Sequence, residues 1–283
     1  GAVSFSVRNP GDVDRAVETM RGLSQPVGQL SAQRDIEVNL ADSTRVSVRP
    51  SPAGITAETD RAMAQAVEVI RRRIDELGTR EPTIIRQGAT RIVVQVPGLQ
   101  DPDQLKSLLG KTAKLEFKLV DIDADPAEAA QWRAPPGSQV VPNADGGVLV
   151  VKRRALITGD QLVDSQPTFQ DGMPVVSFRF DGVGGKRFAK ATQENVGKPF
   201  AIILDGQVIS APRINEPILG GSGIISGNFT TESANQLAIL LRSGKLPVEL
   251  KVIEERTVGP DLGADSIRAG TIASVLSTPL VAL

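Results

Sequence analysis

Gly110-Lys111-Thr112 holds the residue types of a phosphate-binding loop: a glycine for close backbone approach, a lysine charge and a hydroxyl. The full pattern needs a glycine five residues before Gly110, where the chain has Leu105. The helical apolar period also runs up to Gly110 and stops, so this glycine ends a helix, whereas a phosphate loop precedes one. Gly221-Ser-Gly-Ile-Ile-Ser begins like a dinucleotide fingerprint but sets Ser226 where glycine or alanine is required. Asp121, Asp123 and Asp125 open like a calcium loop. Pro126 then stands at the sixth position and Trp132 at the twelfth, where glycine and glutamate are needed. The three carboxylates read as a solvated acidic turn, at most a weak cation site. Asn228-Phe-Thr matches a glycosylation sequon, although Thr230 reads better as a helix cap.

Composition narrows the chemistry further. The chain has no His and no Cys, which removes the commonest general base, thiolate nucleophiles, disulfides and the commonest metal ligands. Serines cannot form the familiar triad without His, and no Ser-x-x-Lys stands at a helix start. The expectation is no catalytic residue, no cofactor and no metal. A net charge of −1, 3% aromatic residues and no Tyr argue against nucleic acid. The N-terminus, Gly1 to Pro10, has no signal-peptide pattern.

The elements that would position any site follow from periodicity. Val3 to Val7 alternates as a strand, and Asn9-Pro10 starts a helix with Val13, Ala16, Val17 and Met20 on one face. Ile36 to Leu40 and Val46 to Val48 read as a strand pair. The longest helix begins near Thr56 and stops at Gly78, with Met63, Val67, Ile70, Ile74 and Leu77 as its buried stripe. Arg71-Arg-Arg lies near Glu68 and reads as a solvated, partly paired surface. Strands at 83–86 and 91–96 follow. Asp101-Pro102-Asp103-Gln104 then starts a helix, and Leu115, Phe117 and Leu119 alternate along another strand.

Strand, helix, strand, strand, helix, strand is the split βαβ of ferredoxin-like folds. Residues 121–147 are rich in Pro and Gly and mark entry into a second unit. That unit carries strands at 148–151 and 175–180, a helix at 184–196, and a hairpin about Asp205-Gly206. Gly220-Gly-Ser-Gly reads as a flexible loop, followed by a final helix with Ala234, Leu237 and Leu241 buried and Gly244 as its stop. Val248 to Ile253 alternates as a strand returning to the first sheet. Ala269 to Leu283 is uncharged and shorter than the about 20 residues a membrane span needs, so it reads as a span cut off partway. The expected fold is α+β: a ferredoxin-like base over 1–119, an inserted α+β head over 120–246, a return strand over 247–258, and a turn and the start of a transmembrane helix over 259–283.

Leu241-Arg-Ser-Gly-Lys-Leu-Pro-Val-Glu-Leu followed by Val258-Gly-Pro-Asp-Leu-Gly-Ala-Asp-Ser-Ile-Arg-Ala-Gly resembles the end of the first periplasmic domain of the SecD family. Arg71-Arg-Arg-Ile-Asp-Glu-Leu-Gly-Thr-Arg-Glu-Pro-Thr-Ile and Leu204-Asp-Gly-Gln-Val-Ile-Ser-Ala-Pro strengthen the resemblance, which covers residues 55–272. The family's first membrane helix, the Leu-Gly-Leu-Asp-Leu-type strand after it and the later membrane helices are not in this sequence. The resemblance implies a periplasmic region of a bacterial inner-membrane protein, without enzymatic activity, that holds or pulls unfolded preproteins leaving the SecYEG channel. It implies drive by the proton motive force through membrane helices outside this sequence. SecF is an implied partner, with YajC and YidC as further candidates. Val120, Gly244 and Pro247, at the two chain crossings, are hinge candidates. Ile218, Leu219, Ile224 and Ile225 flank the glycine-rich loop, and two readings stand for them: a surface for preprotein, or cover for the head's own sheet. The alternative function is a periplasmic porter domain of a proton-driven small-molecule exporter, which a deep aromatic pocket would favour.

Overall fold

A computed structural model describes residues 2–28, 33–78 and 81–256. The first elements are β1 (Val3–Ser6), a 3-10 turn, α1 (Val13–Gly22), β2 (Ile36–Leu40) and β3 (Arg45–Pro50), with the three strands ordered β1-β3-β2. Next come α2 (Pro52–Glu76), β4 (Thr83–Gln87), β5 (Arg91–Gln95), α3 (Pro102–Gly110) and β6 (Leu115–Leu119). The remainder holds α4 (Pro126–Ala130), β7 (Ser138–Pro142), β8 (Val148–Lys152), β9 (Ile157–Thr158), β10 (Leu162–Gln170), β11 (Met173–Phe180) and α5 (Gly182–Glu194). It ends with β12 (Phe200–Leu204), β13 (Gln207–Ser210), β14 (Ser222–Ile225) and α6 (Thr231–Ser243). Gly1–Leu250 is one compact unit and Lys251–Leu283 another, of which residues 251–256 are described and carry neither helix nor strand.

The boundaries of α3 and α6 follow the side-chain chemistry read from the sequence, whereas α2 begins four residues before the expected Thr56, capped by Ser51, whose Oγ accepts the Gly54 N–H at 2.9 Å. Asp101 accepts the Gln104 N–H at 2.9 Å, and Gly110 ends α3, so Lys111-Thr112 leaves a helix instead of entering one. Thr230 caps α6 through a reciprocal capping box with Ser233. Gly244 at φ 86° ends α6. Ala234, Leu237, Ala238, Leu240 and Leu241 of α6 are all buried, as their spacing predicts.

The largest core joins two sheets. Phe117 of β6 is fully buried, with Phe178, Phe180, Phe188 and Phe200 at ring-centroid distances of 5.5, 5.6, 5.8 and 6.0 Å. These rings bind the sheet β13-β12-β6-β9 to the sheet β10-β11-β14, with Phe188 supplied by α5 and Leu237 and Leu241 by α6. A second cluster sets Ala66, Val69, Ile70 and Ile74 of α2 against Ile84, Ile92 and Val94 of the β4–β5 hairpin, with Leu246 and Leu250 from the chain after α6.

The sheet pairing departs from the expected ferredoxin-like base. β3, the β4–β5 hairpin and β6 lie in three different sheets, and β6 pairs antiparallel with β12 over Leu115–Leu119. Period-2 alternation identifies a strand but not its partner. β6 carries buried residues on both faces, including Phe117 and Lys118, which suits a central strand and draws it into the phenylalanine core. The return strand expected over Val248–Ile253 does not form. That segment has no ladder partner among the described residues; Leu246 and Leu250 pack on the α2 cluster, four residues apart, while Val248 stays exposed. Arg73 also departs from expectation. Arg71 and Arg72 are exposed, but Arg73 is fully buried. The expected turn and membrane-span start over 259–283 lie outside the described residues.

Because Leu241 is 5% exposed within the two-sheet core, Leu241→Ala should destabilise the chain by about 2–5 kcal/mol in denaturant melts. A change within about 0.5 kcal/mol, the range of surface substitutions, would contradict this packing.

Candidate functional site

The four aliphatic candidates meet different fates at the edge of the sheet β10-β11-β14. Leu219 is 72% exposed and Ile224 42% exposed. Ile225 is fully buried opposite Val176, so it serves the core and cannot offer a contact surface. Ile218 packs partly against the same core, and its N–H is bonded to Thr192 Oγ1 at 2.9 Å. The surface expected from four aliphatics reduces to two, because strand alternation sends Ile224 and Ile225 to opposite faces.

The glycines around them are not a loose loop. Ser222 and Gly223 are already in β14. A Cβ on Gly221 would stand 2.9 Å from the Gly185 Cα, and one on Gly223 only 2.6 Å from Phe178 Cζ. Both glycines are therefore set by close packing, Gly221 against the start of α5 and Gly223 against a core ring.

This packing leaves β14 as a short open edge. The Phe180 N–H donates to the Gly221 carbonyl at 2.9 Å, and Phe178 faces Gly223 and Val176 faces Ile225 in the register. Antiparallel alternation then turns the backbone N–H and C=O of Ser222 and Ile224 away from β11, towards the open side. Over the outward face of this sheet, reaching from β10 to β14, lies a shallow depression of about 490 Å³ lined by Asp164 and Gln166 of β10, Ser177 and Arg179 of β11, and Ser222 and Ile224. Arg179 and Asp164 approach to 3.8 Å across it. Most of its lining side chains are polar, Ile224 is the aliphatic among them, and the β14 backbone edge could accept an extended chain. The opposite edge is blunted: Pro167 lacks an N–H, and the Ser165 carbonyl accepts from Arg242 Nη1 at 3.0 Å.

The hinge candidates are held by bonds. The Val120 N–H donates to the Pro199 carbonyl at 3.2 Å, and Val120 bridges Val151. The Gly244 carbonyl accepts from Arg73 Nη2 at 3.2 Å. Pro247 follows Leu246, whose N–H donates to the Thr112 carbonyl at 2.8 Å. Sequence reading overlooked Arg73 and Asp205 at this junction. Asp205 was legible only as a turn residue, and Arg73 was masked by its two exposed neighbours. The acidic run is a turn with Asp123 and Asp125 exposed as expected, but its first carboxylate departs. Asp121 is buried, bonded to Ser138 Oγ at 2.5 Å and to Lys152 Nζ at 2.7 Å, and these bonds hold its carboxyl below the usual range. Asp125 caps α4. A deep aromatic pocket would favour the exporter alternative, but Phe117, Phe178, Phe180, Phe188 and Phe200 are packed as core rings.

Set beside known proteins, the chain matches the modules of one protein family. Residues 138–248 match the family model described as SecDF, P1 head subdomain, and residues 63–122 match that described as protein translocase subunit SecDF, P1 domain, N-terminal. The protein translocase subunit SecD of Rickettsia bellii is 46% identical over 92% of this chain and 51% of its own length; that of Rhodobacter capsulatus is 44% identical over 98% and 50%. A crystal structure of SecDF in a super-membrane-facing form aligns with TM-score 0.61 and 36% identity over 78% of this chain and 31% of that one. A structure of SecDF, a membrane component that enhances protein export, aligns with TM-score 0.57 and 34% identity over 79% of this chain and 98% of that one. The chain belongs to the SecD family of protein translocase subunits. It spans about half the length of the curated relatives it matches. No helix among the described residues is long and apolar enough to cross a membrane.

Two outcomes are expected. Gly223→Ala should cost about 1–3 kcal/mol, because the packed Phe178 ring cannot yield; thermal melts at wild-type stability would contradict the close approach. The lowered Asp121 pKa adds stability that is fully present above the unfolded value of 3.8 and is lost as pH falls through the lower folded value. Asp121→Asn should therefore be less stable than wild type at neutral pH, with the gap narrowing below pH 3.8. A constant gap across that window would show that Asp121 is not ionised in the fold.

Proposed function

We propose that this chain is the periplasmic part of a SecD-type subunit of the bacterial inner membrane that holds preprotein as it leaves the SecYEG channel. The observation that carries this reading is the open edge of β14, with Leu219 exposed just before the strand and Ile224 exposed on it at the depression over the sheet face. An extended polypeptide meets such an edge through main-chain bonds that do not depend on its sequence, as a carrier of many clients requires. Two aliphatic contacts contribute about 1.5–3 kcal/mol each before ordering costs, so binding is weak and reversible. Weak binding suits repeated release.

In this reading the module carrying β14 moves relative to the α2–α3 layer, with Gly244 and Pro247 at one crossing, while Val120, beyond β6, moves with the two-sheet core. The proton motive force, acting through membrane helices outside this chain, drives the motion. SecF is the partner subunit, with YajC and YidC as further candidates. No residue acts catalytically. The exporter reading draws no support from the packed phenylalanines.

The test is Leu219→Ser with Ile224→Ser in the full-length subunit, read by site-specific crosslinking to a translocating preprotein. Crosslinking near β14 should fall and export should slow at wild-type expression. Unchanged crosslinking and export would remove this edge as the contact surface.

A further inference from the structure

Arg73 projects from α2, and its guanidinium is spent on other segments. Nη1 donates to the Leu108 carbonyl, at the end of α3, and to the Lys111 carbonyl at 2.5 Å. Nη2 reaches the Gly244 carbonyl at 3.2 Å and the Thr112 carbonyl at 3.4 Å, and Nε meets Ser243 Oγ at 3.4 Å. All of these acceptors lie at the end of α3 and the linker leaving it, or at the end of α6.

Asp205, on the β12–β13 turn, grips the first linker from the other side. Its carboxylate accepts the Ala113 N–H at 3.0 Å, the Lys114 N–H at 2.8 Å and the Thr112 hydroxyl. The Leu246 N–H closes the ring on the Thr112 carbonyl at 2.8 Å. Glu76 and Arg242 form a bidentate pair at the rim. Both crossings between the α2–α3 layer and the two-sheet core are thus tied at one point.

The polar centre of that point favours reversible opening, set against the cost of uncovering the Leu108, Ala113, Ile239 and Leu240 cluster packed beside it. The acceptors are carbonyls and a hydroxyl that water can replace, and among the described residues no carboxylate forms a salt bridge with Arg73. Opening returns a permanent charge to water, which offsets the bonds lost. Burial lowers the Arg73 pKa to about 10, with Asp205 opposing. Gly244 holds φ 86° and ψ 170°, a backbone suited to glycine at a pivot.

We propose that Arg73 is the latch of this joint: the α2–α3 layer and the two-sheet core part at Thr112 and Gly244 when the guanidinium is released, while each keeps its own core. The latch deepens the motion proposed above and takes its purpose from that reading, but the opening belongs to this chain and is testable without cargo.

The experiment is native-state amide exchange on the whole chain. The Leu246, Ala113 and Lys114 amides should exchange by sub-global opening, at least about tenfold faster than ladder amides of β11 and β12. Arg73→Gln should widen that gap. The chain has no native Cys, so spin labels at Arg61→Cys and Lys190→Cys can report the joint; Arg73→Gln should broaden that distance but not the one between Lys190→Cys and Gln170→Cys. If Arg73→Gln does not fold, the exposed-rim variant Glu76→Gln should give the same change in smaller degree. Exchange of Leu246, Ala113 and Lys114 only on global unfolding overturns the latch. So does equal acceleration of all amides in the variants. Sub-global opening alongside unchanged preprotein crosslinking supports the latch and counts only against the cargo reading.

Discussion

A guanidinium buried without a carboxylate in contact imposes a strict demand on everything near it, because its charge cannot be shed at physiological pH. Arg73 meets the demand with carbonyls gathered from the ends of α3 and α6, where helices leave carbonyls without internal partners. The same carbonyls carry the negative end of each helix dipole, so the cation serves both termini at once. Three distant parts of the chain must therefore arrive together: α2, the linker after α3, and the end of α6. Asp205 completes the arrangement by holding the linker amides that Arg73 cannot reach. The joint is thus polar at its centre, with Leu108, Ala113, Ile239 and Leu240 packed beside it.

Around this joint the two apolar clusters divide the work. Five phenylalanine rings hold two sheets face to face and need no polar partner, which makes that part rigid. The α2 cluster uses only aliphatic side chains against a two-stranded hairpin. Edges are managed unequally. β10 is protected by Pro167 and by the Arg242 bond to Ser165, whereas β14 is left short and open beside Leu219 and Ile224. A short open edge limits aggregation while still offering main-chain groups to an extended partner.

Much of the local structure was legible. The Asp101 cap, the stop at Gly110, the hairpin at Asp205-Gly206 and the buried face of α6 follow from side-chain chemistry within a few residues. β10 was not legible, because Pro167 argues against a strand unless the strand is known to lie at an edge. The glycines at 220–223 read as freedom, yet Gly221 and Gly223 are there because Gly185 and Phe178 leave no room for a Cβ. Half of the candidate surface was legible too: alternation alone cannot say which of Ile224 and Ile225 faces inward.

By itself the sequence determined the type and limits of most helices and strands, the absence of His and Cys chemistry, and the resemblance to a translocase family. Tertiary structure alone decided which strands share a sheet, that Val248–Ile253 forms none, and that one arginine of three is buried. The reason is physical. Caps, turns and periodicity act over a few residues, whereas sheet partners and buried charges are chosen by contacts between segments far apart in the chain. Arg73 and Gly244 are separated by 171 positions, and only the folded chain makes them neighbours.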